Sequence, residues 1–202
     1  TKSDGHTLEI IAENEKIEVS EDTFYTATFL RGTLPYSDVP VYFIASKDFF
    51  GPREKLYNAP NENARFFFFN VAALALLKKI QWTPDILHCH DWHSGLIPYF
   101  LKYRYKKDEF WSNAATVFTI HNLAFQLGHN WWEVSEKDRD DGRSKLPHIE
   151  DSRSVETINF AKRAILHADA INAVSETYRE EIMTEDFGQE LNRILKNREH
   201  MV

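Results

Sequence analysis

The feature that most constrains the fold is the alternation of short apolar runs with longer segments of helical period. Strand-like runs occupy residues 85–90, 116–120 and 170–174, and helical segments follow at residues 94–105, 155–167 and from residue 176 onward. Strands that alternate with helices of this length are typical of parallel sheets with right-handed crossovers. The sequence therefore predicts an α/β fold with an open, doubly wound and mostly parallel sheet.

Further elements flank this alternation. Strands joined by polar turns are predicted at residues 7–12, 16–19, 23–30 and 39–44, and helices at residues 63–79 and 189–196. The run 39–44 is almost continuously apolar, which predicts a strand covered on both faces by helices. The four phenylalanines at residues 66–69 make their helix apolar all round, so we expect it in the core. The polar stretch 122–152 has no clear period, and connections of that length are usually functional or mobile.

Size and charge narrow the class of partner. The 202 residues suffice for one domain over residues 1–202, and 24 basic against 31 acidic residues give a net charge of −7. A surface of that sign repels phosphate groups, so we expect neither a nucleic acid nor a membrane as partner. The 7 glycines are scattered singly, so no Gly-rich phosphate loop is predicted. The lone Cys89 is typical of a reducing cytoplasm, where we expect the protein.

Polar side chains cluster where three predicted strands end. The run HCHDWH occupies residues 88–93, His121 and Asn122 follow the next strand, and Ser175 follows the third. Ligands of open α/β sheets bind beyond the carboxyl ends of the strands. The sequence therefore predicts a ligand site at this edge of the sheet.

The first of these runs also permits a metal site. His88, His90, Asp91 and His93 are all competent zinc ligands. On a strand, His88 and His90 share one face, and Asp91 lies one place earlier than in the His-x-His-x-Asp-His pattern of metallo-β-lactamase-like hydrolases. A metallohydrolase is thus one alternative, and a purely structural role for Asp91 as a helix cap is another.

The same region resembles a known family over much of its length. The run WTPDILHCHDWHSGL at residues 82–96 resembles the signature of the bacterial, archaeal and plant glycogen and starch synthases. Similar segments are FTIHNLAFQ at residues 118–126, INFAK at 158–162, ADAINAVSETY at 168–178, FFGPREKLY at 49–57 and NARF at 63–66.

This resemblance implies the Rossmann-like, N-terminal, acceptor-side domain of a two-domain GT-B glycosyltransferase. Members of the family move glucose from ADP-glucose or UDP-glucose to the non-reducing end of an α-1,4-glucan, with retention of configuration. The implied partners are therefore the sugar nucleotide and the glucan acceptor. Neither a metal nor a cofactor other than the donor substrate is implied.

The resemblance also implies roles for individual residues. Asp91 matches the active-site carboxylate beside the sugar, and His121 matches the residue whose main-chain carbonyl and ring face the anomeric carbon. Substrate-binding roles are implied for Asn122, which shapes the pocket, for Trp92 and His93, which support it, and for Tyr57 at the cleft wall. Retaining transfer builds positive charge on the sugar ring, which a carboxylate and a carbonyl stabilise.

Two parts of the family pattern are absent from these residues. The Lys-x-Gly-Gly loop that contacts the donor phosphates is expected before Thr1, and the C-terminal nucleotide-binding domain is expected after Val202. Because the phosphate-binding groups belong to those parts, we expect the 202 residues alone to be inactive. Within the match, Leu127 is one residue more than the family's usual Gln-Gly step.

A binding module is a further alternative to an enzyme. In that case the chain holds malto-oligosaccharide through surface aromatics such as Trp131 and Trp132 but catalyses nothing. Packing of the two tryptophans within their own loop is the structural alternative.

Overall fold

Residues 2–3, 6–51 and 60–198 are described by the structure, a computed structural model. The strands are β1 (Lys2–Ser3), β2 (His6–Thr7), β3 (Glu9–Ser20), β4 (Thr23–Thr33), β5 (Pro40–Ala45), β6 (Ile86–His90), β7 (Ala115–Ile120) and β8 (Ala170–Ala173). The helices are α1 (Lys47–Phe50), α2 (Glu62–Lys79), α3 (Ile97–Tyr103), α4 (Ser152–Glu156), α5 (Phe160–His167), α6 (Glu176–Ile182) and α7 (Asn192–Lys196). Within the described ranges, we find no helix with the length and apolar character needed to cross a membrane.

Strands β3, β4 and β5 form an antiparallel sheet in that order, and β1 and β2 pair with each other as a separate two-stranded sheet. Strand β3 is continuous through the two runs predicted at residues 7–12 and 16–19, so the predicted turn between them is wrong. The ladder with β4 shifts register between Ala12 and Glu15, where Asn14 has a φ of 51°. A β-bulge of this kind accommodates extra polar residues without ending the strand.

Strand β5 does not have the surroundings predicted from its apolar sequence. It pairs antiparallel with β4, and Phe43 remains 43% exposed, while Tyr42 and Ile44 pack against the core. The strand is therefore covered on one face only, and the prediction of helices on both faces is wrong. An antiparallel strand can leave one face in solvent, and a short apolar run does not distinguish the two cases.

The predicted α/β class is confirmed by the second sheet, which has the parallel order β6-β7-β8. Helices α3 and α5 lie in the two crossovers and pack against each other, so they cover the same face. Cys89, Phe118 and Ile171 form a buried row across that face. Among the described residues the antiparallel strands make a sheet of their own rather than an extension of the parallel one.

Two predicted helices have different bounds in the structure. The segment 155–167 forms α4 and α5, separated at residues 157–159, and the Asn159 side chain caps α5 by accepting a hydrogen bond from the Lys162 amide at 2.8 Å. The segment 94–105 begins with a 3₁₀ turn, Trp92–Ser94, and its α-helix starts only at Ile97, with Pro98 in the first turn. Pro98 is tolerated there because first-turn amides have no intrahelical acceptor.

Helix α2 connects the two three-stranded sheets through the core. Phe66, Phe67 and Phe68 are buried, as predicted, and Phe69 is partly buried. The Phe68 ring stacks on Phe49 with ring centroids 4.3 Å apart. One face of α2 thus packs on the antiparallel sheet, and the other reaches the 3₁₀ turn that follows β6.

Candidate functional site

The site lies where β6 and β7 end side by side. Asp91 directly follows β6, and His121 and Asn122 directly follow β7. The Asp91 carboxylate crosses between them, because its Oδ1 accepts hydrogen bonds from the backbone amides of His121 at 2.8 Å and Asn122 at 3.4 Å. The structure therefore brings together the acid and the histidine that the resemblance singles out.

The backbone of Asp91 adopts a conformation that is unusual for this residue type. Its φ is 53° and its ψ is −178°, a region that non-glycine residues avoid. The conformation is held by the Asp91 amide, which donates to the Thr119 carbonyl at 3.0 Å, and by the Asp91 carbonyl, which accepts from the Ser94 amide at 3.2 Å. The Asp91 side chain makes no helix-capping bond to the 3₁₀ turn, so the capping alternative is wrong.

Three imidazole rings continue from the acid across the exposed face of the sheet. His88 and His90 lie on one face, as their alternation predicts, with ring centroids 4.2 Å apart. His90 Nδ1 lies 3.0 Å from His121 Nε2, so one of these nitrogens donates to the other. Partial burial, followed by the nearby His88 and His121 rings, lowers the pKa of His90 below its ordinary value. A neutral His90 therefore persists to lower pH than a free histidine.

A chain of hydrogen bonds anchors these rings to β7 and β8. His88 Nε2 lies 2.6 Å from the Thr119 hydroxyl, and that hydroxyl donates to Asn172 Oδ1 at 2.5 Å. Three adjacent strands thus contribute one polar side chain each to the same face.

Trp92 and His93 lie behind the site rather than in it. Trp92 is only 5% exposed, with its ring centroid 4.8 Å from that of Phe66, so it lies in the wall of the site. The His93 ring is half-buried against the same phenylalanine, 4.7 Å away. Burial lowers the pKa of His93, although the Asp91 carboxylate acts in the opposite direction. Both side chains support the wall of the site, and Tyr57 lies outside the described residues.

The alternative of a zinc site has no geometric support here. No group of three or more His, Cys, Asp or Glu side chains within the described ranges could hold a metal ion. His93 is turned into the aromatic core, away from the face that carries His88 and His90. The Oδ1 atom of Asp91 accepts hydrogen bonds from backbone amides rather than facing these rings.

Two asparagines of α2 position the site. A role for these two side chains was not predicted from the sequence. Asn70 is fully buried: its Oδ1 accepts from the amides of Leu96 at 3.1 Å and Ile97 at 3.0 Å, and its Nδ2 donates to the His93 carbonyl at 2.7 Å. Asn63 Oδ1 accepts from the Gly128 amide at 2.7 Å. The sequence did contain a signal for both residues, because an amide side chain on a helix that is predicted to be buried needs hydrogen-bond partners.

The loop after Asn122 is also fixed by contacts with the rest of the fold. Leu127, the residue in excess of the family pattern, is 3% exposed in the core. The neighbouring Gln126 donates to the Gln189 carbonyl at 2.8 Å and accepts from Asn159 Nδ2 at 2.5 Å.

The two tryptophans of the alternative binding surface differ in their exposure. Trp131 is half-buried, with its indole N–H 3.3 Å from Gln189 Oε1, whereas Trp132 is 54% exposed.

Known proteins are similar to this chain in sequence. A family model described as the starch synthase catalytic domain matches residues 2–197. The glycogen synthase of Pseudothermotoga lettingae is 38% identical over 168 residues, which are 83% of this chain and 34% of that protein. Glycogen synthase 2 of Geobacter metallireducens is 40% identical over 176 residues, or 85% and 35% of the two chains.

A solved structure is similar over most of the chain. The catalytic domain of starch synthase IV from Arabidopsis thaliana, bound to ADP and acarbose, superposes with a TM-score of 0.73 at 25% identity over 96% of this chain and 39% of that one. The chain spans about a third of the length of the two synthases from P. lettingae and G. metallireducens. Its sequence match and its fold together show that the chain belongs to the glycogen and starch synthase family of GT-B glycosyltransferases.

Proposed function

We propose that this chain forms the acceptor-side part of a retaining glucosyltransferase, which adds glucose from ADP-glucose or UDP-glucose to the non-reducing end of an α-1,4-glucan. The observation that carries the proposal is the Asp91 carboxylate, held 2.8 Å from the His121 amide where β6 and β7 end. Family membership supports the reaction class, and the acarbose bound by the Arabidopsis relative supports an oligosaccharide acceptor.

The proposed chemistry follows from the charge of these groups. As the nucleotide leaves with retention of configuration, positive charge develops on the ring oxygen and the anomeric carbon. A fixed carboxylate at Asp91 and the carbonyl of His121 place negative potential beside that charge, and they need no reorganisation during the reaction. Asn122 shapes the neighbouring wall, since its Oδ1 accepts from the Ala124 amide at 3.0 Å and so fixes the turn.

The diphosphate of the proposed donor binds mainly through positive groups of a second domain, as the family resemblance implies. The net charge is −7, and the diphosphate of a sugar nucleotide needs positive partners. We therefore propose that a second, nucleotide-binding domain completes the active site and that the 202 residues alone do not transfer glucose. A cytoplasmic location is part of the proposal and rests on the single, unpaired cysteine.

A chimera tests the function directly. In it, this chain replaces the matching segment of the G. metallireducens synthase, and glucose transfer from ADP-glucose or UDP-glucose to glycogen is measured. We expect the chimera to transfer glucose and Asp91→Asn to reduce kcat about 100-fold or more, because the variant keeps the shape of the side chain but removes its charge. The matched control is Asp85→Asn, an exposed aspartate at the other end of the same strand.

The result that would overturn the proposal is equally specific. A folded chimera that fails to transfer glucose, or one in which Asp91→Asn and Asp85→Asn behave alike, excludes the role assigned to Asp91.

A non-catalytic glucan-binding lobe is the second candidate, and the exposure of Trp132 favours it. If that candidate is correct, Trp132→Ala weakens binding of maltoheptaose to the chain, and the folded chimera transfers no glucose.

A further inference from the structure

The backbone and the ring of His121 are held by different neighbours. The backbone amide donates to Asp91 Oδ1 at 2.8 Å, which fixes the main chain where β7 ends. The ring is held separately, because His121 Nε2 lies 3.0 Å from His90 Nδ1 and one of the two nitrogens donates to the other. The two ring centroids are 5.2 Å apart, and the ring planes are inclined by 46°. His90 therefore holds the ring of His121, whereas Asp91 holds its main chain.

The backbone of His90 is a fixed support for this bond. Its amide donates to the Ser94 hydroxyl oxygen at 2.7 Å, and the same hydroxyl donates to the His90 carbonyl at 2.9 Å. Ser94 is the last residue of the 3₁₀ turn that follows β6, so the end of the strand is bound to the turn on both sides of the His90 Cα atom. The Cα–Cβ bond of His90 thus has one direction, and only its two side-chain dihedral angles remain to be fixed.

The ring of His90 is supported on its other side by His88, whose ring centroid lies 4.2 Å away. Since the Thr119 hydroxyl gives its proton to Asn172 Oδ1 at 2.5 Å, it accepts from His88 Nε2 at 2.6 Å. His88 therefore carries a proton on Nε2, and this bond holds its ring beneath that of His90. The orientation of the His121 ring is thus set by a series of contacts that begins at β8.

Packing in the core does not explain why His90 occupies this position. The residue is exposed and lies on the face of β6 opposite the buried Cys89, so its ring adds little to the core. A hydrogen bond between two exposed imidazoles also adds little stability, because water satisfies both rings when the chain is unfolded. The contact between His90 and His121 therefore affects geometry more than it affects stability.

We propose that His90 is a positioning residue for glucose transfer, which acts by fixing the ring of His121 beside the reacting carbon of the sugar. This inference rests on the proposed function for the role of His121. It requires no contact between His90 and the substrate. If His90 served only to pack on His88, any flat ring would replace it, with or without a nitrogen atom.

The expected kinetic effect is on kcat. A His121 ring that is free to rotate occupies several staggered orientations, and only some of them match the transition state. The fixed ring needs no reorganisation as positive charge develops on the sugar, so its benefit appears in the transition state rather than in binding of the donor or the glucan. Loss of the bond should therefore lower kcat and leave KM for both substrates nearly unchanged.

Two substitutions of His90 in the chimera separate the hydrogen bond from the packing. His90→Phe keeps a ring on His88 but removes both nitrogens. His90→Asn removes the ring but places an amide oxygen or nitrogen near the position of Nδ1, because both side chains branch at Cγ. We expect His90→Phe to lower kcat about 10-fold with KM changed by less than about 2-fold, and His90→Asn to keep kcat within about 3-fold of the unmodified chimera.

The opposite order of activities overturns the proposal. If the ring of His90 serves only to pack, His90→Phe transfers glucose as the unmodified chimera does, and His90→Asn is the slower enzyme. Equal losses of kcat in the two variants, or a loss that falls on KM alone, also overturn it. The matched controls are His148→Phe and His148→Asn, which should transfer glucose normally, because the His148 ring bonds to the Thr23 hydroxyl of β4 at 2.8 Å, on the antiparallel sheet.

Nitrogen NMR on the 202-residue chain tests the bond itself without any substitution in the measured sample. With ring-labelled histidine at about pH 8, above the ordinary histidine pKa, we expect a scalar coupling between His90 Nδ1 and His121 Nε2 across their hydrogen bond. The resonances are assigned with His90→Asn and His121→Asn. His88 and His90 are the control pair, since their ring centroids are closer still, at 4.2 Å, but His88 Nε2 bonds to Thr119 instead. A spectrum without the coupling between His90 and His121 overturns the proposal.

Failure of this inference is distinguishable from failure of the proposed function. If Asp91→Asn abolishes transfer by the chimera while His90→Phe leaves kcat unchanged, only the positioning role of His90 is excluded. If the folded chimera transfers no glucose, the proposed function is excluded and the positioning role with it, whereas the coupling between His90 and His121 still reports their bond.

Discussion

Asp91 combines an unfavourable backbone conformation with the proposed catalytic charge. A residue with a Cβ atom at a φ of 53° and a ψ of −178° is strained, and the two amides that bind its carboxylate offset part of that strain. Strain that persists at the proposed site indicates that this position requires the Asp91 carboxylate rather than the turn itself.

Two substitutions separate the backbone from the side chain. Asp91→Gly and Asp91→Ala both remove the carboxylate, but only glycine adopts this conformation without strain. We expect Asp91→Gly to be more stable than Asp91→Ala by about 1 kcal/mol, measured by urea unfolding. Equal stabilities would show that the backbone of Asp91 is relaxed.

Asn70 is the second residue for which one side chain decides local structure. Asn70→Leu leaves the amides of Leu96 and Ile97 and the carbonyl of His93 without their buried partner. We expect a loss of about 2–4 kcal/mol in the free energy of unfolding, since each unsatisfied buried group costs about 1–3 kcal/mol. The exposed Asn113→Leu is the control, and a similar change in both variants would contradict the role of Asn70.

At the scale of elements, one buried ion pair fixes the long 122–152 connection to α5. Arg163 Nε and Nη2 each donate at 2.8 Å to a different oxygen of Asp140, and the two side chains are 1% and 4% exposed. Arg163 Nη1 also donates to the Ser144 carbonyl at 3.0 Å. The connection that the sequence predicts to be functional or mobile is thus attached to the helix behind the parallel sheet.

Removal of one partner from this pair should be costly. Asp140→Ala leaves the Arg163 charge buried, and we expect a loss of about 3–5 kcal/mol in the free energy of unfolding. Lys102→Ala, which breaks the half-exposed pair with Asp169, should cost about 1 kcal/mol or less. Urea unfolding of the two variants checks the difference, and equal losses would mean that the Asp140 pair is no stronger than a surface one.

The prediction of helices and strands was correct where the hydrophobic period and the burial of the segment agreed. Strands β6, β7 and β8 and helix α2 have short apolar runs or unbroken helical period, and each lies where the sequence predicts it. The break between α4 and α5 was not predictable in this way, because Val155, Ile158 and Ala161 keep helical spacing across it. It depends on the Asn159 cap and on tertiary bonds to Gln126 and Asp140, which a local pattern does not contain.

The candidate site was predictable to the extent that it follows from topology. Adjacent parallel strands place Asp91 and His121 at one edge, so chain order and the two motifs suffice to bring them together. The burial of Trp92 and the anchoring by Asn70 depend instead on how α2 packs on the 3₁₀ turn, which periodicity does not specify.

For the whole molecule, two histidines with lowered pKa values predict how stability depends on pH. Burial lowers the pKa of His93 and of His167, whose ring nitrogen lies 2.8 Å from the Gly142 carbonyl. A lowered folded pKa means that the unfolded chain binds protons first, so stability falls as pH decreases from about 6.5, the ordinary histidine value. The carboxylates with lowered pKa values, such as Asp169, lose their contribution only at more acidic pH.

We therefore expect the free energy of unfolding to decrease between about pH 7 and pH 5 and His93→Phe to reduce that slope. Phenylalanine keeps a ring against Phe66 and Trp92 but binds no proton. Chemical unfolding at a series of pH values provides the measurement. A slope that is unchanged in His93→Phe would show that His93 titrates normally in the folded protein.

The buried row Cys89, Phe118 and Ile171 gives the molecule an internal reporter. Burial raises the pKa of the Cys89 thiol to about 12, so almost none of the reactive thiolate is present at neutral pH. Alkylation of this single thiol by a maleimide should therefore proceed only when the parallel sheet separates from α3 and α5, and its rate would measure how often that opening occurs. Labelling as fast as that of a free thiol would mean that the helices leave the sheet far more often than their packing suggests.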